Sequence, residues 1–255
     1  MPQSRFLQIA IQAAQAGEAV IKRYYLGNLE VQIKADQTPV TGADIETERV
    51  IKSALQGVFP EHGFFGEETG KELPEVEYTW LVDPIDGTKS FVRHNPFFST
   101  QIALMKSHSF ILGVSNAPMF NELAYAEIGG GAFLNDKALR VSTIQELSAA
   151  TLSFGNIKTL TTDQRWLKLA ELIRQVNRTR GYGDFYHYHL LAAGKLDLVI
   201  ESDINILDVA ALSVIIQEAG GRITDLEGKP LNLDTTSVLA SNARLHQQVL
   251  GLLNN

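Results

Sequence analysis

The sequence predicts a mixed α/β (α+β) protein in which helices cover layered sheets. Three observations carry that prediction: an amphipathic helix opens the chain, short apolar strands between polar turns fill its middle, and its second half alternates helix with strand. At 255 residues, with 45% hydrophobic and 20% charged, the chain can bury a sizeable core in one large domain or two fused lobes.

Phe6, Ile9, Ala10, Ala13, Ala14, Gly17 and Val20 fall on one helical face, with Ser4 placed as the N-cap. A second helix is expected over 43–58, where Ile51, Ala54, Leu55 and Val58 recur at i, i+3, i+4 and i+7. Residues 63–66 read as a strand. Trp80-Leu81-Val82 reads as another, which Pro84 should stop because it cannot donate to a ladder. Strands over 101–105, 111–115, 123–127 and 151–154 follow. Helices are then expected at 164–176, 185–193, 207–219 and 243–253, with strands at 196–200, 222–224 and 237–240. There is no internal repeat. The polar stretch 135–148 is the expected lobe boundary, dividing 1–140 from 141–255 within one catalytic unit.

Composition narrows the function. Lys+Arg 22 against Asp+Glu 29 gives a net charge of −7, and no long basic run offsets it, so neither nucleic acid nor an anionic membrane is an expected partner. The absence of Cys excludes disulfides, a thiol nucleophile and any Cys-ligated metal. No run of about 18 apolar residues is present to span a membrane. Gln8, Gln12 and Gln15 interrupt Phe6–Ala16, a poor signal peptide, so a cytoplasmic location is expected.

Acidic residues gather where the backbone turns. Glu67-Glu68 follows one strand, Asp83-Pro84-Ile85-Asp86-Gly87-Thr88 follows another, and Asp44 and Asp208 each open a helix. Carboxylates from four segments at strand ends and helix starts suit a hard cation that takes oxygen ligands. Taken singly, each has a plain structural reading: Asp44 and Asp208 as helix N-caps, Asp86-Gly87 as a turn, Glu67-Glu68 as a solvated pair. Neighbours on a strand face opposite ways, so at most one of Glu67 and Glu68 should ligate. The segment 83–88 says more. Its two carboxylates and the Ile85 carbonyl can turn toward one point, Gly87 permits close backbone approach, and Thr88 starts a helix whose free N–H groups suit a phosphate.

Trp80-Leu81-Val82-Asp83-Pro84-Ile85-Asp86-Gly87-Thr88, with Gly66-Glu67-Glu68 before it and Asp208-Val209-Ala210-Ala211 and Glu218-Ala219-Gly220-Gly221 after it, resembles the inositol monophosphatase family across nearly the whole chain. The resemblance implies a layered αβαβα sandwich and a Mg²⁺-dependent, Li⁺-sensitive phosphomonoesterase that works as a homodimer. It matches Glu67, Asp83 and the Ile85 carbonyl to one metal, and Asp83, Asp86 and Asp208 to a second. Glu67 and Asp44 match a weaker third site. Thr88 matches the residue that orients the attacking water, and the backbone of Asp86, Gly87 and Thr88 matches the phosphate cradle. Most metal ligands thus fall in 1–140, and the last aspartate and the specificity residues in 141–255. Leu207 departs from the Trp that many members carry before the last aspartate, which leaves the ligands in place and alters only the packing beneath them.

Substrate choice needs other residues. The stretch from Asp83 to Arg93, and Arg178–Tyr186 with Asp197–Glu201, resemble the histidinol-phosphate phosphatase branch. That resemblance places Asp184 and Glu201 beside the organic half of the substrate, where two carboxylates suit the ammonium and imidazole of histidinol. The alternative for Asp184 is a helix cap. Inositol monophosphate or a broad range of sugar phosphates is the rival substrate class, and a catalytically silent metal- and phosphate-binding regulator is the rival from outside enzymology. His187 and His189, two apart on a helix, face different ways and are expected in packing or at the surface. His94 lies near the site with no assigned role, Lys89 either offsets phosphate charge or sits on the helix surface, and Lys34, Asp36 and Thr38 belong to a polar loop that is either the lid the family resemblance implies or a solvated loop.

Overall fold

The computed structural model describes residues 3–27, 31–33, 39–72, 76–162 and 164–254, with only the backbone described at 31–33, 39, 40 and 72. Lys34, Asp36 and Thr38 of that polar loop lie outside them. The helices are α1 (Arg5–Tyr25), α2 (Gly42–Gln56), α3 (Thr88–Phe91), α4 (Arg165–Gln175), α5 (Asp184–Ala192), α6 (Ile206–Glu218) and α7 (His246–Asn254). The strands are β1 (Val31–Ile33), β2 (Pro39–Thr41), β3 (Gly63–Gly66), β4 (Gly70–Glu72), β5 (Tyr78–Asp86), β6 (Ser99–Lys106), β7 (Ser109–Ala117), β8 (Glu122–Glu127), β9 (Gly131–Leu134), β10 (Lys137–Ala138), β11 (Thr151–Phe154), β12 (Arg178–Arg180), β13 (Leu198–Ser202), β14 (Arg222–Thr224) and β15 (Ser237–Ser241). A short ribbon joins β1 and β2. The other strands form an eight-stranded sheet, β10-β9-β8-β7-β6-β5-β3-β4, and a five-stranded sheet, β12-β11-β13-β15-β14.

Side-chain alternation stacks these elements into five layers. On β5 and β6, Trp80, Val82, Ile102 and Leu104 face α1 and α2, where they pack with Leu7, Ala10, Ala13, Ala14, Ile51 and Leu55. Leu81, Ala103 and Met105, at the alternate positions, face α5 and α6. The second sheet repeats the pattern: Val199, Val238 and Ala240 join α5 and α6, while Leu198, Ile200 and Leu239 pack on α4 and α7. The order is helices, sheet, helices, sheet, helices, as the family resemblance implies.

The middle helix explains its own composition. α6 reads ILDVAALSVIIQE and is buried nearly all round, because a sheet lies on each side of it. It approaches so closely that a Cβ on Gly113 of β7 would stand 2.1 Å from the Ala211 carbonyl oxygen. Glycine at 113 is therefore demanded by distance.

Several sequence boundaries need correction. Pro84 does not end its strand. β5 runs on to Asp86 through a bulge, with Asp83 opposite Gln101 and Asp86 opposite Ser99. The missing N–H costs nothing at an irregular position, and the Pro84 carbonyl accepts from the Thr100 hydroxyl at 2.8 Å. The last helix starts at His246, because Ala243 has φ 69° and cannot be helical. β13 runs two residues later than expected, to Ser202.

Candidate active site

Three aspartates converge where β5 ends and α6 begins. One carboxylate oxygen each from Asp83, Asp86 and Asp208 lies within 4.8 Å of the others. Local hydrogen bonds hold each in place. Asp83 accepts from the Ile85 N–H at 2.9 Å, and Asp86 accepts from the Ser99 hydroxyl at 3.2 Å. Asn205, not Asp208, is the N-cap of α6. Asp208 stands three residues on and closes a capping box by accepting from the Asn205 N–H at 2.9 Å.

The trio is electrostatically incomplete. Burial pushes the Asp83 pKa well above the carboxylate range, and the charges of Glu67, Asp86 and Asp208 push it further. Asp86 is raised well above that range by burial and then by Asp208, Asp184 and Glu201, while its Ser99 bond pulls the other way. Asp208 is pushed up to about 7, chiefly by burial, with Glu67 and Glu201 adding to it. Ionised together these groups could only accept hydrogen bonds, and the bonds of Asp83 with Glu67 and Asp208 require one partner to keep its proton. A hard divalent cation answers both deficits, since it takes oxygen ligands and brings positive charge. The donor set fits such an ion.

Further oxygens stand close by. The Glu67 N–H donates to the Val82 carbonyl at 3.1 Å, which extends the β3–β5 pairing by one residue and sets Glu67 beside Asp83. The Ile85 carbonyl accepts from the Thr88 hydroxyl at 3.0 Å and keeps a second lone pair. Gly87, at φ 91°, makes the turn into α3, where a Cβ would meet the Phe97 carbonyl oxygen at 2.7 Å.

Asp44 stands with Thr88 and lies outside the trio. Thr41 caps α2, and Asp44 Oδ2 accepts from both its N–H at 2.8 Å and its hydroxyl at 2.7 Å. Oδ1 is left 3.3 Å from the Thr88 hydroxyl. Asp44 is wholly buried, and burial raises its pKa against the two bonds from Thr41, with the charge of Glu68 raising it further. The charge of Glu67 thus bears on Asp83 and Asp208, and that of Glu68 on Asp44.

The model of the inositol monophosphatase family matches residues 2–255. The chain belongs to that family. It is 36% identical over 247 residues to a histidinol-phosphatase of Mycobacterium tuberculosis, covering 95% of each chain. It is 33% identical over 252 residues to an inositol-1-monophosphatase of Rhizobium meliloti, covering 96% of this chain and 94% of that one. The solved structure of the extragenic suppressor protein suhB from Bartonella henselae superposes with a TM-score of 0.90 at 30% identity, covering 99% of both chains. The chain is a phosphoric monoester hydrolase.

Beside the aspartates, this family member has a small cavity lined by Asp86, Asn156, Asp184, Tyr188, Glu201 and Asp208. Glu201 is buried yet well served. The Tyr188 hydroxyl donates to Oε2 at 2.7 Å, His187 Nε2 is 3.2 Å from the same oxygen, and the Asn156 N–H donates to Oε1 at 3.1 Å. Burial works to raise the Glu201 pKa, but these partners, His187 foremost, hold it below its ordinary value. Asp184 is pushed up to about 6 by burial and then by Glu201, with His187 and Lys89 opposing. Asp184 is the first residue of α5, after Gly183 as N-cap, and holds φ 46°, an uncommon backbone for a non-glycine residue.

The histidines divide. His187 and His189 are both buried and hydrogen-bonded, so neither is a surface residue. His94 is exposed, packs against the Tyr25 ring at 5.4 Å and does not line the cavity. Sequence reasoning missed Glu48, His187, Tyr188 and Asn156 as site residues. Glu48 is buried on α2 and accepts from the N–H groups of Glu68 at 2.8 Å and Thr69 at 2.9 Å, which shapes the Glu67 turn. Its place one helical turn after Asp44, on the same face, was the available signal.

Proposed function

We propose that the chain hydrolyses L-histidinol phosphate to L-histidinol and phosphate with Mg²⁺ as cofactor. The observation that carries this reading is the cavity in which Asp184 and Glu201 adjoin Asp86 and Asp208 of the trio. A substrate with phosphate at one end and cationic groups at the other matches that polarity. Asp83, Asp86, Asp208, Glu67 and the Ile85 carbonyl would hold two Mg²⁺ ions, with Asp83 shared, and Glu67 with Asp44 would complete a weaker third site. Bound there, the ions supply the positive charge that a phosphate dianion requires and lower the pKa of a water. Li⁺ is expected to inhibit.

The chain's own residues then orient the reaction. The backbone of Asp86, Gly87 and Thr88 cradles the phosphate. The Thr88 hydroxyl, held between Asp44 and the Ile85 carbonyl, keeps a lone pair for a proton of the attacking water. The water oxygen bonds to phosphorus as the ester P–O bond breaks, and a proton released by that water ends on the leaving histidinol oxygen. Asp184 and Glu201 receive the ammonium and imidazole, and Lys89, whose charge bears on Asp184, limits repulsion at the rim. Both parts of the chain, 1–140 and 141–255, serve this chemistry as one unit. The same reading takes the protein as cytoplasmic and, on the family resemblance, as a homodimer.

The likeness to an inositol-1-monophosphatase favours a second substrate class, inositol monophosphate or sugar phosphates. A phosphate-release panel of histidinol phosphate, inositol 1-phosphate, fructose bisphosphate and adenosine bisphosphate with Mg²⁺ separates the two. Histidinol phosphate should show the highest kcat/KM, and chelator should abolish release. Preference for inositol phosphate would overturn the substrate while leaving the phosphatase standing.

A further inference from the structure

A line of buried polar side chains crosses the eight-stranded sheet, starting from one of the three aspartates. Ser99 and Gln101 on β6 are two residues apart and share a face. Ser99 sits opposite Asp86 on β5, and Gln101 sits opposite Ser115 on β7. Ser99, Gln101 and Ser115 are fully buried, and His189 of α5 is 2% exposed. The contacts run without a break. Ser99 Oγ lies 3.2 Å from Asp86 Oδ2, and Gln101 Nε2 lies 2.8 Å from Ser99 Oγ and 3.1 Å from Ser115 Oγ. Ser115 Oγ lies 2.9 Å from His189 Nε2, and His189 Nδ1 lies 2.8 Å from Glu122 Oε2 at the half-buried end.

Donor chemistry gives the line one consistent direction. A carboxylate only accepts, so His189 Nδ1 carries its proton toward Glu122. In the tautomer protonated at Nδ1 alone, Nε2 accepts, and the Ser115 hydroxyl donates to it. Ser115, its proton committed, accepts from one Gln101 N–H. The other Gln101 N–H goes to Ser99, whose hydroxyl is thereby left to donate to Asp86. Gln101 Oε1 is buried with no partner, although the amide group as a whole sits among hydroxyls. The amide is thus held with its nitrogen toward both serines at the expense of its oxygen, which only acceptors at both ends of the line require.

We propose that Ser99, Gln101, Ser115 and His189 form a positioning relay for Asp86, committing Oδ2 to the Ser99 hydroxyl and keeping Oδ1 for the cation. The inference rests on the metal reading of the aspartate trio given above. None of the four touches substrate in this account; they act through Asp86.

The test is calorimetric titration of Mn²⁺ alone into the full-length protein, well below the unfolding temperature. Breaking the relay by Ser115→Ala or Gln101→Met should raise the Mn²⁺ Kd about tenfold, the scale of losing a hydrogen-bond partner behind a metal ligand. Ser115→Thr, which keeps the hydroxyl, should retain the wild-type Kd. Ser99→Ala should show the same tenfold loss, and adding Gln101→Met to it should cost nothing more, because both act on one bond. Ser115→Ala, the smallest change, carries the test if Gln101→Met does not fold. An unchanged Kd in folded Ser115→Ala, or a full second loss in the Ser99→Ala background, would overturn the relay alone. A wild type that binds no Mn²⁺ would overturn the metal reading and the relay with it, a result visible before any variant is made.

Discussion

The aspartate trio and Glu201 stand around one small cavity, which Asp86, Asp208 and Glu201 line, and live under opposite conditions. Asp83, Asp86 and Asp208 face one another, and burial together with mutual charge drives their pKa values up. Glu201, from β13, is as deeply buried but receives bonds from Tyr188, Asn156 and His187, and its pKa falls. The fold thus completes one acid and leaves three incomplete. Burial alone does not mark a binding site for a cation; burial among like charges does.

The largest expected effect comes from Asp83→Asn, which removes charge from the crowded group with little change of shape. Turnover should fall at least about a thousandfold, in line with several kcal/mol of lost charge stabilisation. In chelator the variant should melt higher than wild type, because one like charge has gone. Wild-type turnover at saturating Mg²⁺ would break the contrast. Thr88→Ala comes next, with turnover down about a hundredfold, the scale of a lost positioning or proton-transfer contact. Its Mg²⁺ binding should survive, and calorimetry showing binding lost in step with activity would make Thr88 a ligand or a structural cap. Asp184→Asn should lower kcat/KM for histidinol phosphate by about ten- to a hundredfold, as for a charge-assisted bond of about 1.5–3 kcal/mol. A neutral generic ester should hardly notice, and equal losses on both substrates would assign Asp184 to the start of α5.

Stability gives the smallest but most direct comparison. Glu201→Gln strips charge from the satisfied group and sets an amide among its donors. Its melting temperature in chelator should drop by about 3–8 °C, opposite in sign to Asp83→Asn. The two groups should also diverge with pH. Asp208 keeps its proton to about 7 in the fold but loses it near 4 when unfolded, so metal-free protein should lose stability as pH rises from about 4 to 7. Glu201, with its folded pKa depressed, contributes stability that is present above its ordinary value and lost as pH falls through the folded one. Melting curves of Asp208→Asn and Glu201→Gln without metal should therefore both depart from wild type as pH rises toward 7, the first upward and the second downward, and draw closer to it at low pH.

Much of this was legible in the sequence because it is local. Asp83, Asp86 and Thr88 lie within six residues, Asp208 sits at the start of an apolar helix, and period-two alternation on β5 and β6 sorts the two faces of the sheet. What escaped is long-range or marginal. Glu48 meets Glu68 across 20 residues, and His187 and Tyr188 meet Glu201 across 14 and 13; periodicity does not record such encounters. β9, β10 and β12 are strands of 4, 2 and 3 residues, too short to show a period. Pro84 was read as a stop because its missing donor was counted and the bulge that makes the donor unnecessary was not.

That bulge has a consequence best put as parity. A strand sends odd and even positions to opposite sides, so Asp83 and Asp86, three apart, belong on opposite sides of a regular sheet. One surplus residue between them reverses the count, and both reach the side where α6 offers Asp208, while Ile85 returns to the layer of Ile21 and Phe91. The acid trio therefore depends on how many residues intervene as much as on which ones. Closing the bulge with every residue kept, so that the pairing runs regularly past Asp83, would leave every acidic side chain in the protein and still send Asp86 into the core beside α1.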